Sequence, residues 1–133
     1  MLFLFAVFFS VYKSFIQLFK RYERRGNHLS LENLGFLFLL YVNVLIGFGL
    51  IFTLIEMRGI SVLIDNGVAL SGSFFDIFSE AMYFSGVTLL SVGYGDITPI
   101  GIGRWFAIIE ALIGYIIPAA FVVRSMGDYE RAY

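Results

Sequence analysis

A chain of 133 residues is short enough to be one domain, yet 59% of it is hydrophobic and only 14% is charged, against about 45–50% and about 25% in an ordinary soluble domain. A domain this small leaves much of its surface exposed, so the apolar surplus must face lipid or other subunits, and a soluble monomer is excluded. The net charge of −1 is nearly balanced, and the absence of cysteine rules out disulfides and thiolate metal sites.

Residues 1–33 open on a wholly apolar run, Met1 to Phe9. A signal peptide does not fit, because no charged start precedes the run and no small-residue cleavage site follows it. Ser10, Lys13, Ser14, Gln17, Lys20, Arg21 and Arg24 then recur at spacings of three and four, which puts them on one helical face. This pattern predicts an amphipathic helix in the cytoplasmic interface, with Lys20, Arg21, Arg24 and Arg25 against anionic lipid headgroups. A third membrane crossing is the alternative reading. Gly26-Asn27-His28 breaks the helix, His28 reads as a surface histidine, and Ser30 is placed to cap the next element.

From Leu34 to Ile55 there is no charged residue, and Asn43 is the one strongly polar side chain. At about 1.5 Å per residue the run covers roughly 33 Å, enough to cross a hydrocarbon core of about 30 Å. It predicts an outer membrane helix over 34–57, with Gly47 and Gly49 as close-packing positions. Residues 58–72 form an outer turret rich in turn signals. Asp65-Asn66-Gly67 is the clearest of these, and a short hairpin is expected between the runs 60–64 and 68–70.

Ser73 with Asp76 three residues on is a capping signature, with Asp in place of the usual Glu or Gln. Phe74, Phe75, Phe78, Met82, Tyr83 and Val87 follow at helical spacing, which predicts a short helix over 73–90. It runs at once into Ser91-Val92-Gly93-Tyr94-Gly95-Asp96. A short helix and a glycine-bearing strand between two spans make a re-entrant loop. Non-helical backbone at membrane depth is tolerated only when it is buried in protein or lines a watery path, so the sequence implies a pathway.

Trp105 to Val123 carries one charge, Glu110, and is long enough to span. It predicts an inner helix over 102–126, with Trp105 as an interfacial anchor and residues 127–133 as a short tail. Lys13, Lys20, Arg21, Arg24 and Arg25 precede the first span and Arg124 and Arg131 follow the second, while only Arg58 and Arg104 lie between. This distribution predicts cytoplasmic termini. The intervening region would lie outside, where Glu56, Asp65, Asp76, Glu80 and Asp96 would form an acidic mouth that concentrates cations.

The stretch Tyr83 to Asp96, with its Gly-Tyr-Gly core after a short helix and between two spans, resembles the pore helix and filter of the two-span potassium channels. The likeness runs from about Leu34 to Met126. It implies an all-α membrane protein in the plasma membrane: two transmembrane helices flanking a re-entrant pore helix and selectivity filter, assembled as a homotetramer. It implies a potassium-selective, non-enzymatic pore with no cofactor beyond the permeant ion. The ion would be held by the backbone carbonyls of Ser91, Val92, Gly93 and Tyr94, with the Ser91 hydroxyl as an innermost ligand. Successive carbonyls can face one axis only if the backbone alternates in hand, which Gly93 and Gly95 allow, while Val92 and Tyr94 brace the strand against the pore helix. One chain supplies one strand, so a ring of carbonyls needs four copies. Tyr83, Thr88 and Asp96 are the expected filter supports, and Thr88 and Ser85 are expected to bond backbone and not the ion.

Two departures stand out. Ser91 replaces the usual threonine, which keeps the hydroxyl and loses the methyl. Val87 stands where some members carry a glutamate that pairs with the aspartate after the filter, so Asp96 is expected to bond an aromatic or backbone group instead.

In the inner helix, Pro118 provides no donor for the carbonyl of Gly114 four residues earlier. Gly114 also matches the family's hinge glycine by spacing, so gating is expected there. Tyr115, Pro118 and Val122 would line the cavity, with a static packing kink as the alternative. Glu110, one turn before Gly114, either modulates filter or cavity or bonds the inner helix to the pore helix. No arginine run marks a voltage sensor, and ten residues after Val123 leave no room in this sequence for a ligand-binding domain. A membrane enzyme lacks its nucleophile, paired carboxylates and metal spacing here, and a transporter of the filter-loop type needs four loops in one chain. A non-selective cation channel shares the architecture and is set apart by Tyr94.

Overall fold

The computed structural model describes residues 31–130 and Lys13. The amphipathic helix, its alternative as a third span, the lipid contacts at Lys20, Arg21, Arg24 and Arg25, and the cap at Ser30 lie outside the described residues. Residues 31–130 hold three helices and three short strands in chain order. They are α1 (Leu31–Glu56), β1 (Leu63–Asp65), β2 (Val68–Ala69), α2 (Phe74–Leu89), β3 (Ile97–Pro99) and α3 (Gly103–Glu130). Within α1 and α3, Leu37–Glu56 and Gly103–Val122 are long and apolar enough to cross a membrane. Apolar side chains on both helices, among them Phe38, Ile46, Ile108, Leu112 and Ile116, stay exposed on the chain. The helix α3 continues through Pro118 and on to Glu130, four residues past the end expected for it.

The chain divides into two compact units. In the unit that includes residues 31–44 and 116–130, Leu40, Val44 and Ile117 are buried. In the other, residues 45–115, a core forms from Phe52, Val62, Leu63, Ala81, Phe84, Ile97 and Ala107. Phe52 is its centre, meeting Phe84 edge to face at 5.2 Å and Phe106 at 6.4 Å, contacts each worth about 0.5–1.5 kcal/mol beyond the area they bury. Inside α1 the buried Thr53 hydroxyl donates to the Gly49 carbonyl at 2.7 Å, which satisfies it without a partner from another helix.

The turret is more ordered than its turn signals predict. Asn66 (φ 45°) and Gly67 (φ 87°) make a two-residue turn with positive φ at both positions, the geometry that suits the twist of a hairpin. It joins β1 to β2 with Ile64 opposite Ala69 and Asp65 opposite Val68. The strand β3, just after the 91–96 segment, pairs antiparallel with the other edge of β1, Ile64 opposite Thr98 and Asp65 opposite Ile97. Sequence spacing does not predict this third strand. The ladder is extended at both ends by Ile100 N–H to Val62 O (2.8 Å) and Asn66 N–H to Asp96 O (3.0 Å). The sheet therefore ties the Asp96 end of the 91–96 segment to β1.

Candidate functional site

The short helix α2 is set by its cap. The Ser73 amide donates to Asp76 Oδ2 at 2.8 Å and the Asp76 amide donates back to Ser73 Oγ at 3.4 Å, so both arms of the capping box are made. The Ser73 hydroxyl also donates to Asp76 Oδ2, at 2.7 Å, and this bond, with that of the Ser73 amide, holds the Asp76 carboxyl below the usual carboxylate range. At the other end, the turn after Leu89 is closed by the 91–96 segment itself. Ser91 N–H donates to Thr88 O (3.0 Å), Val92 N–H to Val87 O (2.9 Å) and Gly93 N–H to Val87 O (3.4 Å). Three successive amides thus point back into the end of α2. Among the described residues, no hydrogen bond ends on the carbonyls of Ser91, Val92, Gly93 or Tyr94.

Backbone handedness alternates along this segment, with positive φ at Ser91 (57°), Gly93 (60°) and Gly95 (81°) and at neither Val92 nor Tyr94. Glycine takes such angles at little cost. Ser91 does so without being glycine, and the resemblance did not imply it. A side chain branched at Cβ is a poor occupant of this region, which gives a local reason for serine where threonine would carry the same hydroxyl.

The bracing expected of Val92 and Tyr94 is not supplied within the chain. Val92 is 49% and Tyr94 73% exposed, because α2 contacts the segment through its amides and leaves these side chains facing outward. Behind the segment lies a cavity of about 520 Å³, lined by Tyr83, Thr88, Asp96, Ile97, Arg104 and Ile108 among others. Arg104 Nε donates to Pro99 O (3.3 Å) at its rim.

Asp96 finds an aromatic partner in Tyr83, whose phenol donates to Oδ2 at 2.6 Å. The phenol holds the Asp96 carboxyl below its usual value, and the carboxylate in turn pushes the Tyr83 phenol up to about 12.

The acidic mouth is thinner than the sequence suggests. Glu56 is buried, and its Oε1 accepts from the amides of Val62 and Leu63, both at 2.7 Å. It folds the chain at the end of α1 and does not face solvent. Asp76 is engaged in its cap, Asp96 in the Tyr83 bond, and Asp65 Oδ1 accepts from the Asn66 side-chain Nδ2 at 2.8 Å. Glu80 is exposed.

On α3, Glu110 is fully buried and meets Ser85 of α2, while the Ser85 hydroxyl also lies 3.0 Å from the Leu45 carbonyl of α1. One turn on, an ideal Cβ on Gly114 would stand 1.9 Å from the Leu89 carbonyl oxygen. Tyr115, Pro118 and Val122 are exposed on the chain. Sequence reasoning noticed Glu110 but could not choose Ser85 as its partner. It missed Leu89 altogether, since a carbonyl leaves no mark on side-chain patterns. No group of three or more His, Asp or Glu side chains among the described residues is arranged to hold a metal ion.

A family model described as "Ion channel" matches residues 40–129, which takes in most of α1, the sheet, α2, the 91–96 segment and nearly all of α3. The chain is similar to Protein LctB of Bacillus caldotenax, with 43% identity over 105 residues that cover 79% of this chain and 78% of that protein. It is similar to Protein LctB of Geobacillus stearothermophilus at 44% identity over 105 residues, with the same coverage. No solved structure matches significantly.

Proposed function

This chain belongs to the pore-loop ion-channel family, and we propose that four copies of it form a potassium-selective channel in the plasma membrane with both termini cytoplasmic. The observation that carries this reading is the 91–96 backbone: φ alternates in sign while the amides of residues 91–93 are tied back to α2. That arrangement frees a row of carbonyls on the side away from α2. A dehydrated potassium ion recovers its hydration energy from such oxygens, and a ring of them needs several chains. Val92 and Tyr94, exposed on one chain, gain their packing from neighbouring copies in a tetramer. The permeant ion passes Ser91, Val92, Gly93 and Tyr94, with Thr88, Tyr83 and Asp96 as supports. Gating bends α3 at the turn of Gly114 and Pro118, where Pro118 gives Gly114 no donor, and Tyr115 and Val122 line the cavity below. Anionic lipid at Lys20, Arg21, Arg24 and Arg25 anchors the amino-terminal segment.

The test is flux into proteoliposomes with potassium, rubidium and sodium, and barium as blocker. Potassium and rubidium flux that is blocked by barium and far exceeds sodium flux supports the reading. Equal potassium and sodium flux shows a non-selective cation channel. Native mass measurement of the solubilised protein checks the fourfold assembly.

A further inference from the structure

Glu110 and Ser85 are both fully inaccessible to solvent, and their hydrogens can be counted. The Ser85 oxygen lies within bonding distance of Glu110 Oε1 and, at 3.0 Å, of the Leu45 carbonyl oxygen. A serine hydroxyl has one proton to give. If Glu110 were ionised it would claim that proton, and Ser85 would then face the Leu45 carbonyl lone pair to lone pair. Glu110 Oε2, which is buried and has no hydrogen-bond partner among the described residues, would meanwhile hold charge with no donor from them in a membrane-spanning helix, the costliest arrangement for a carboxylate. A neutral acid removes both conflicts. Its Oε1–H donates to Ser85, and the Ser85 hydroxyl donates on to Leu45. Oε2 is left as a plain carbonyl oxygen, whose missing bond costs far less than a bare charge.

Several other ionisable groups around these helices are engaged elsewhere. On α1 Glu56 accepts from Val62 and Leu63, on α2 Asp76 caps its own helix and Tyr83 donates to Asp96, and on α3 Arg104 donates to Pro99. Glu80 is exposed on α2. None of these bonds supplies Glu110 with a counter-charge.

We infer that Glu110 is a neutral carboxylic acid that positions the pore helix, through a directed proton chain from Glu110 to Ser85 to the Leu45 carbonyl that ties α3, α2 and α1 together. Ser85 lies within one turn of Val87, Thr88 and Leu89, whose carbonyls hold the amides of residues 91–93 or meet Gly114. A shift of Ser85 is therefore passed to the filter. This deepens the channel reading and rests on it for the flux measurement alone.

The test combines isotope-edited infrared spectroscopy of the full chain in lipid, with carbon-13 glutamate, and potassium and sodium flux in the same vesicles. At neutral pH the wild type shows a protonated carboxylic-acid carbonyl band that Glu110→Gln removes. Glu110→Gln, whose amide still donates to Ser85, keeps potassium-over-sodium selectivity within about twofold, whereas Ser85→Ala, which breaks the chain, lowers it by about tenfold. A carboxylate band alone at neutral pH overturns the inference, as does a Glu110→Gln channel as damaged as Ser85→Ala. If the wild type carries no potassium-selective flux, the channel reading fails while the infrared band still decides the state of Glu110.

Discussion

Leu89 and Gly114 meet backbone to backbone: the carbonyl oxygen of the last residue of α2 lies where a Cβ on Gly114 would be, 1.9 Å from its ideal position. The glycine is required by contact with the pore helix before any bending of α3 is considered. Gly114→Ala forces a backbone displacement, an overpacking that costs about 1–3 kcal/mol, and the thermal stability of the assembled protein falls accordingly. Pro118→Ala supplies the backbone N–H that proline lacks at this position and leaves stability unchanged or raised. A hinge at this turn shows as reduced open probability in Pro118→Ala single-channel records, with thermal stability intact. Unchanged gating in Pro118→Ala assigns Gly114 to packing alone.

Ser91 makes a second prediction, from its φ of 57°. A left-handed conformation costs a non-glycine residue roughly 1–2 kcal/mol. Ser91→Gly removes that cost and the hydroxyl together, so thermal stability rises, and, with the Ser91 hydroxyl as the ion ligand proposed above, barium blocks less tightly. Ser91→Thr adds a branched side chain at the same angle and lowers stability. A Thr variant as stable as the wild type would show that the segment does not hold this angle.

The pair of Tyr83 and Asp96 predicts a pH dependence with a defined sign. The phenol depresses the Asp96 carboxyl, so the bond contributes stability above the ordinary carboxylate range and is lost as pH falls through the depressed value. The Tyr83 phenol, raised to about 12, keeps its proton across the neutral range, and its contribution is lost only as pH climbs through that value. Tyr83→Phe removes the donor, so Asp96 takes up its proton at higher pH. The acid limb of potassium flux then moves upward in pH. Flux against pH for wild type and Tyr83→Phe measures the shift, and an acid limb that does not move rejects the coupling.

Glu56 predicts a contrast between two substitutions. Glu56→Gln keeps an oxygen for the Val62 and Leu63 amides and stays close to wild type in stability and flux. Glu56→Ala strands both amides, at about 1–3 kcal/mol for each one left unpaired, and lowers the melting temperature. If Glu56 served the cation path as a charge, Gln would instead cut potassium flux and spare stability.

The two spans, the cap at Ser73 and the Asn66-Gly67 turn are legible in sequence because each is a local pattern, of hydropathy, of side-chain capping or of turn residues. The strand Ile97–Pro99 is not, because three residues carry no period and its partner β1 lies about thirty positions earlier. Glu56 looks like a mouth carboxylate because it directly follows an apolar run, and only the fold shows two amides turned onto it. A glycine needed for bending and one needed for close approach are identical on paper, so the sequence left Gly114 as either a hinge or a static packing kink and could not name Leu89 as what stands against it. Val92 and Tyr94 differ again: both are exposed on the single chain, and in the proposed tetramer their packing partners would belong to neighbouring copies. The alternation of hand was readable at Gly93 and Gly95 and hidden at Ser91, since serine gives no sign of φ.

The sheet has a mechanical meaning. The tip of the hairpin, at Asn66, grips the carbonyl of Asp96, and β3 leaves that same point bonded along β1. The turret thus works as a strut whose length is fixed by hydrogen bonds. Extra residues added between Asp65 and Val68 would detach Asp96, the end of the 91–96 segment, from its support. Residues added beyond β2, around Ser71 and Gly72, would hang outside that truss and leave Asp96 where it stands. In the proposed orientation, a molecule that clasps the hairpin from outside the cell would have a lever on the last carbonyls of the pathway without entering it.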